Sequence, residues 1–354
     1  MRTIRIDTAK SYDVVIGRGL LAEAGTRIRE TCGPAACMLV SDDRVFALYG
    51  EAVKKSLEEA GIRTAVFTFP HGEASKTLAT YAALLEELCV QRITRSDLIV
   101  ALGGGVTGDL AGFAAATYRR GIPCVQIPTS LLAMVDSSVG GKTAVDLAHG
   151  KNMAGAFLQP SLVLCDTDTL STLPEEEYAC GCAEIIKYAM IESEAFFESL
   201  ERTPVRCQEE EVIAACVDMK RKYVTQDEFD RGVRMFLNFG HTFGHAAEAC
   251  SGFSILHGQG VAMGMAAVTR AAVKRGLCAP EVSARLEALL MRYGLPTETP
   301  YPANRLLSSA LSDKKARGGT VSLIVPRAVG RCVIRPVPGE ELLSWMTDGG
   351  IAAG

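Results

Sequence analysis

Up to about residue 170, short apolar runs rich in β-branched residues alternate with longer amphipathic stretches. "AACMLV", "GIRTAVFTF", "SDLIVAL", "IPCVQIP" and "SLVLCD" are separated by segments such as "LATYAALLEELCV". Runs this short and continuously apolar fit strands buried on both faces, so the alternation predicts a mostly parallel sheet covered by helices. After "TDTLSTLP" the texture changes: "EEEYACGCAEIIKYAMI", "EEVIAACVDMKRKYV" and "EVSARLEALLMRYG" carry the helical period, and "TVSLIVP" is the one late strand candidate. The pattern predicts an α/β domain over residues 1–173 and an all-α domain over 174–354, divided near Pro174, with a site in the cleft between them.

Length supports that division, because a single core rarely grows past roughly 250 to 300 residues and this chain has 354. With 48% of residues hydrophobic and 22% charged, the composition is that of a folded globular protein. A net charge of -4 supplies no global basic field, so nucleic acid is excluded as a partner and any anion site has to be local. The opening "MRTIRIDTAKSYDVV" alternates apolar and polar positions and lacks the apolar centre of a signal peptide. Arg270 and Lys274 interrupt the most apolar helical stretch before it reaches the length of a membrane span. Twelve scattered cysteines without a CxxC pair read as reduced thiols, with Cys180 and Cys182 as core filling; a cytoplasmic protein is expected.

Three stretches carry chemistry. "DLIVALGGGVTGDLAGFAAATY" is a strand, a glycine turn and a helix, in which Gly103, Gly105 and Gly108 satisfy G-x-G-x-x-G. In that context glycines let backbone amides approach a pyrophosphate at a helix N-terminus, and a Rossmann-like dinucleotide domain follows; tight packing alone is the other reading. The acid expected about 20 residues later is missing, but Asp42 ends an earlier strand in "MLVSDDRV" and is placed to take ribose hydroxyls. Next, "VDSSVGGKTAVDLAHGKNMAGAF" mixes glycines with Lys142, Lys151 and Asn152, a composition that suits either phosphate or a solvated loop. Its "GGKT" fails as a P-loop, because the first glycine of that motif would fall at Asp136.

The third stretch, "NFGHTFGH", spends two of the chain's five histidines at i and i+4, on one helical face. No glutamate stands between His241 and His245, so the general base of a metalloprotease is absent and peptide hydrolysis is rejected. His257 is the next natural ligand, and Glu184, followed by Lys187 one turn on, is the carboxylate candidate. Three ligands leave zinc an open catalytic position. His71 and His149 carry no visible role.

Together with "PHGEASK", "IPTSLLAMVDSSVGGKTAVD", "LHGQGVAMGM" and "DKK", these motifs occur in an order that resembles the 3-dehydroquinate synthase family, cyclising phosphate lyases of the shikimate pathway, over almost the whole chain. The resemblance implies NAD and one divalent metal, zinc or cobalt, acting on a seven-carbon keto-acid sugar phosphate. It implies Glu184, His241 and His257 as metal ligands, with His245 turned to substrate. Around NAD it implies Asp42, Glu73, Lys76, Gly104, Gly105, Val106 and Asp109, then Thr129, Ser130, Lys151 and Thr172. Asp136, Lys142, Asn152, Lys187, Lys220, Arg234, Asn238 and Lys314 of "DKK" would meet substrate. Arg120 would reach the phosphate of a neighbouring subunit, which makes a homodimer the expected assembly.

Two positions depart from the family pattern. Asp230 stands where the family has a catalytic glutamate, which leaves Glu228 or Asp227 open as substitutes, and Gln259 stands where many members have glutamate. Rival readings are sister cyclases acting on sedoheptulose 7-phosphate or glucose 6-phosphate, metal-dependent polyol dehydrogenases, and a nucleotide sensor without catalysis. Lys220 with Arg234 fits a carboxylate clamp, and Lys142, Asn152 and Arg120 fit a phosphate site, which together favour the keto-acid phosphate.

Overall fold

The computed structural model describes residues 1–312 and 319–354, so Lys314 lies outside the described residues. Two compact units divide the chain: Met1–Pro174 with Glu209–Phe229, and Glu175–Gln208 with Asp230–Gly354.

The first unit is built on nine strands: β1 (Arg2–Ile6), β2 (Tyr12–Gly17), β3 (Ala36–Asp42), β4 (Arg63–Phe69), β5 (Leu98–Gly103), β6 (Cys124–Pro128), β7 (Lys142–Leu147), β8 (Gly150–Phe157) and β9 (Leu162–Asp166). Seven of them form one sheet in the order β1-β2-β9-β6-β5-β3-β4. Only the β1–β2 pair within it is antiparallel. Period-two alternation explains how both faces are filled. In β3, Cys37 and Leu39 point to one core while Met38 and Val40 point to the other; in β5, Leu98, Val100 and Leu102 face the first, and Ile99 and Ala101 the second. Ile28 and Leu57 bring their helices onto the first face, and Leu84 and Leu110 bring theirs onto the second. The strand order reverses at β3, since β4 pairs on one side of it and β5 on the other. In open α/β sheets that reversal leaves a ligand crevice beyond the carboxyl ends of the two strands.

Two stretches depart from the sequence expectation. The glycine and lysine segment is not a loop: β7 and β8 pair as an antiparallel hairpin, Lys142 opposite Phe157. Glycines at Gly150 and Gly155 and a largely exposed second strand hid its alternation. The helix Glu209–Gln226, expected with the second domain, packs on β1, β2 and the Ala133–Ser137 turn of the first unit. Its buried face, Val212, Ile213, Cys216, Val217 and Lys220, follows the helical period and says nothing of which sheet it will cover.

The second unit is helical, with a hairpin of β10 (Thr320–Ala328) and β11 (Arg331–Pro338) among its described residues. Pro336 and Pro338 concealed β11, because proline lacks the N–H a ladder uses and belongs only at sheet edges. All twelve cysteines are free, and Cys180 and Cys182 are buried. Among the described residues no helix is long and apolar enough to cross a membrane.

Candidate active site

In the first unit the expected dinucleotide residues gather at the carboxyl ends of neighbouring strands. Asp42 closes β3 and accepts a hydrogen bond from Val45 N at 2.9 Å, which fixes its side chain at the start of the next turn. Beyond β5, Gly104 caps the helix Gly105–Thr117, so the amides of Gly105 and Val106 are among the helical N–H groups with no partner one turn back. Glu73 follows β4, Thr129 and Ser130 follow β6, and Thr172 follows β9. Thr172 Oγ1 lies 2.5 Å from Tyr49 Oη.

A buried charge network links this edge to the β7–β8 hairpin. Lys76, 4% exposed, donates to Asp109 Oδ2 at 2.6 Å and to Asn152 Oδ1 at 2.5 Å. Burial opposes its charge, but Asp109 and Glu73 outweigh that and hold the lysine above its ordinary value. Burial drives Glu73 upward, against the pull of Lys76 and of Lys151, whose Nζ lies 4.0 Å from Glu73 Oε1. Asn152 adopts a left-handed backbone, φ 57°, and its N–H donates to Asp146 Oδ1 at 2.7 Å. Asp146 had no place in the sequence expectation, because nothing in an alternating strand marks a carboxylate that will hold a strained asparagine one turn of hairpin away. Lys142 opens β7 and is exposed. Lys220 donates to Asp136 O at 2.7 Å and pairs with the Asp136 carboxylate.

Arg120 occupies the left-handed region at φ 69°, after Arg119 at φ 51°. Side-chain bonds hold this strained turn: Arg119 Nε donates to Ile93 O and Arg95 Nε to Arg119 O, each at 3.0 Å. Arg120 itself is exposed, and among the described residues its guanidinium has no hydrogen-bond or ion-pair partner.

The second unit assembles the histidines. His241 and His245 lie on the helix His241–Cys250, His257 begins the helix His257–Lys274, and Glu184 with Lys187 sits in the buried middle of the helix Glu175–Glu192. Glycine lets these helices meet. A Cβ on Gly258 would lie 2.6 Å from Cys180 O, and one on Gly264 would lie 2.8 Å from Gly240 C and 2.9 Å from Gly244 N, distances only a missing side chain permits. Ring nitrogens of His241, His245 and His257 consequently lie within 4.8 Å of one another. His257 Nε2 is 3.2 Å and His241 Nε2 3.6 Å from the same oxygen, Glu184 Oε1.

Both far ring nitrogens are occupied. His241 Nδ1 lies 3.1 Å from Phe239 O, and His257 Nδ1 lies 3.1 Å from Glu248 Oε1. Burial pulls the His241 imidazole down to about 3 against the pull of Glu184, which keeps it neutral. The same burial acts on His257 but is outweighed by Glu184 and Glu248, which push it up to about 10. Glu184 and Glu248, 1% and 2% exposed, are thus balanced by Lys187, which pairs with Glu184, and by the charge on His257. Two half-buried imidazoles converging on a buried carboxylate fit a zinc- or cobalt-class cation. Glu248 was missed in the sequence although the signal was present, since it follows His241 at i+7 and His245 at i+3 on the same face.

The remaining positions are resolved individually. Arg234 is 2% exposed and Asn238 exposed. Asp230 is half-buried with φ 55°. Glu228 belongs to the first unit, where it accepts from Ala9 N at 3.2 Å and Gln159 Nε2 at 3.0 Å. Gln259 accepts from Leu256 N at 3.1 Å and caps its helix, a role in which its amide oxygen serves as well as a carboxylate. His71, without a visible role in the sequence, is tied through Nδ1 to Asp43 Oδ1 at 2.7 Å.

Known proteins are similar to this chain in sequence and fold. The family model described as the 3-dehydroquinate synthase N-terminal domain matches residues 66–180, and that of the C-terminal domain matches residues 181–316. The 3-dehydroquinate synthase of Streptococcus suis (strain 05ZYH33) is 45% identical over 342 residues, covering 95% of this chain and 96% of the relative. A crystal structure of 2-deoxy-scyllo-inosose synthase complexed with carbaglucose-6-phosphate, NAD+ and Co2+ superposes with a TM-score of 0.88 at 26% identity, covering 98% of this chain and all of the other. That of 2-epi-5-epi-valiolone synthase from Streptomyces hygroscopicus subsp. jinggangensis, with NAD+ and Zn2+ bound, gives 0.87 at 28% identity and covers 99% of each chain. From the two consecutive domain matches and the near full-length identity it follows that the chain belongs to the 3-dehydroquinate synthase family.

Proposed function

We propose that this chain converts 3-deoxy-D-arabino-heptulosonate 7-phosphate to 3-dehydroquinate and inorganic phosphate, with NAD and one zinc or cobalt ion, as a cytoplasmic homodimer. The observation that carries the reading is the 45% identity to a 3-dehydroquinate synthase along 95% of the chain, with His241 and His257 converging on the buried Glu184. Sister cyclases share the fold at 26% and 28% identity, well below the 45% shared with the synthase, which favours the keto-acid substrate over theirs.

When bound, NAD supplies a reversible two-electron acceptor and the cation a Lewis acid for neighbouring hydroxyls of the substrate. The chain does the rest. His241 stays neutral because it is buried, and its bond to Phe239 O turns Nε2 toward Glu184, the tautomer a metal ligand needs. Lys187 compensates the buried Glu184 carboxylate and stands beside the cation site. His245, exposed one turn beyond His241, serves as a proton carrier for the substrate, with Asp230 as the carboxylate acceptor and Asn238 orienting. In the first unit Lys142 and Asn152 bind phosphate, and Lys76 holds Asn152 and Asp109 in place while Asp42, Gly104 to Val106, Thr129 and Thr172 line the dinucleotide edge. Lys220 and Arg234, buried cations, grip the substrate carboxylate, with Asp136 setting the position of Lys220. The unpartnered Arg120, held outward by a strained turn, reaches the phosphate bound by a second copy. Fixed cations of this kind supply orientation worth several kcal/mol in intramolecular chemistry.

Phosphate release from three substrates tests the reading: 3-deoxy-D-arabino-heptulosonate 7-phosphate, sedoheptulose 7-phosphate and glucose 6-phosphate, each with NAD and zinc. Turnover is expected with the first alone. Rapid turnover of sedoheptulose 7-phosphate with none of the keto acid overturns it.

A further inference from the structure

We infer that Glu248 is a positioning residue for the cation site, orienting His257 through its Nδ1 and thereby aiming Nε2 at the oxygen of Glu184 that His241 also faces. The inference rests on the reading of His257 as a cation ligand and adds to it a group that none of the expected roles included.

The geometry is specific. Glu248 is 2% exposed, and its Oε1 lies 3.1 Å from His257 Nδ1, while the opposite nitrogen of the same ring lies 3.2 Å from Glu184 Oε1. A carboxylate only accepts, so Nδ1 must carry the hydrogen of that bond. With Nδ1 so committed, Nε2 is the nitrogen that turns to a cation, giving up its proton as the cation binds. A buried carboxylate is costly unless paired, and His257 pairs with Glu248 at 3.1 Å. The facing helix leaves room for it: a Cβ on Gly260 would sit 3.1 Å from Glu248 Cγ and Oε1. Outer-shell carboxylates on ligating histidines fix the tautomer, raise ligand basicity, and typically change metal affinity about 10- to 100-fold when removed.

Glu248→Gln keeps an acceptor for Nδ1–H and loses the charge; Glu248→Ala loses both. Zinc dissociation constants, measured on the full-length protein by competition with a chromogenic chelator, are expected to rise about 10-fold for the first and toward 100-fold for the second. The visible spectrum of the cobalt-loaded protein is expected to shift in both, a signature that a purely structural role would leave alone. Wild-type zinc affinity and an unchanged cobalt spectrum in Glu248→Gln overturn the inference, and this near-isosteric variant carries the test if the alanine variant fails to fold. His257→Ala separates the two layers. If it loses zinc while Glu248→Gln and Glu248→Ala keep it, only the positioning role fails; if it keeps zinc, the ligand reading has failed and the inference with it.

Discussion

Gly264 sits two helical turns beyond His257, where its helix touches the start of the His241 helix. An alanine there would place its Cβ directly on Gly240 O, 2.8 Å from Gly240 C and 2.9 Å from Gly244 N. All three neighbours are backbone, so no side chain can swing aside. Favourable carbon contacts lie near 3.5–4.0 Å, and restoring them requires the helices to part by roughly 1 Å. Alanine gains up to about 1 kcal/mol of helix propensity over glycine. Overpacking of a close interface costs about 1–3 kcal/mol, and because the clash is with backbone the upper end applies, so the net expectation is a loss of about 2 kcal/mol of stability. The same displacement moves His257 away from His241, and a misplacement of about 1 Å in a reacting constellation can cost about 100-fold in rate. Urea unfolding of the metal-free protein measures the first effect, and zinc content after gel filtration with turnover measures the second. If Gly264→Ala proves as stable as the wild type and holds zinc normally, glycine-mediated approach is not what assembles the site.

His257→Ala is expected to abolish zinc retention while His245→Ala keeps it, read by elemental analysis; the reverse outcome means that their roles are exchanged. At Glu287, bonds from Arg270 at 2.7 and 3.0 Å and from Ser283 at 2.8 Å outweigh burial and hold the carboxyl below its ordinary value. A lowered folded pKa contributes stability that is present above the unfolded carboxyl value of ~4.3 and is lost as pH falls through the folded one. Glu287→Gln should therefore destabilise at neutral pH and converge with the wild type as pH drops below ~4; an equal loss at both ends of an unfolding series in pH would refute the assignment.

The parallel strands were legible because burial on both faces forces long apolar runs: "SDLIVAL" and "SLVLCD" became β5 and β9 with little shift at their ends. The histidine pair was legible because i and i+4 share a face. What the chain hides has physical causes. β8 escaped notice because it is exposed and glycine-rich, so no apolar alternation marks it, and β11 because its prolines argue against a strand. Asp146 bonds to Asn152 across a hairpin turn that nothing in the strand pattern marks, and Glu248, although it shares the histidine face, acts on His257 of the next helix, a partner set by how the two helices approach. Asp42 was identifiable as a candidate only because it ends a strand; that β3 neighbours β5 at the reversal of strand order is a property of the sheet.

One thread of the chain path bears on how the protein is made. The helix that carries Lys220 returns from the middle of the sequence to cover β1 and β2 and to pair with Asp136. On the ribosome, then, the amino-terminal unit cannot finish when its last strand emerges: the edge of its sheet stays uncovered until the Glu209–Gln226 segment has been synthesised. A fragment ending at Pro174 would inherit that open flank permanently, and the two pieces of such a split protein would have to find each other before either could be complete.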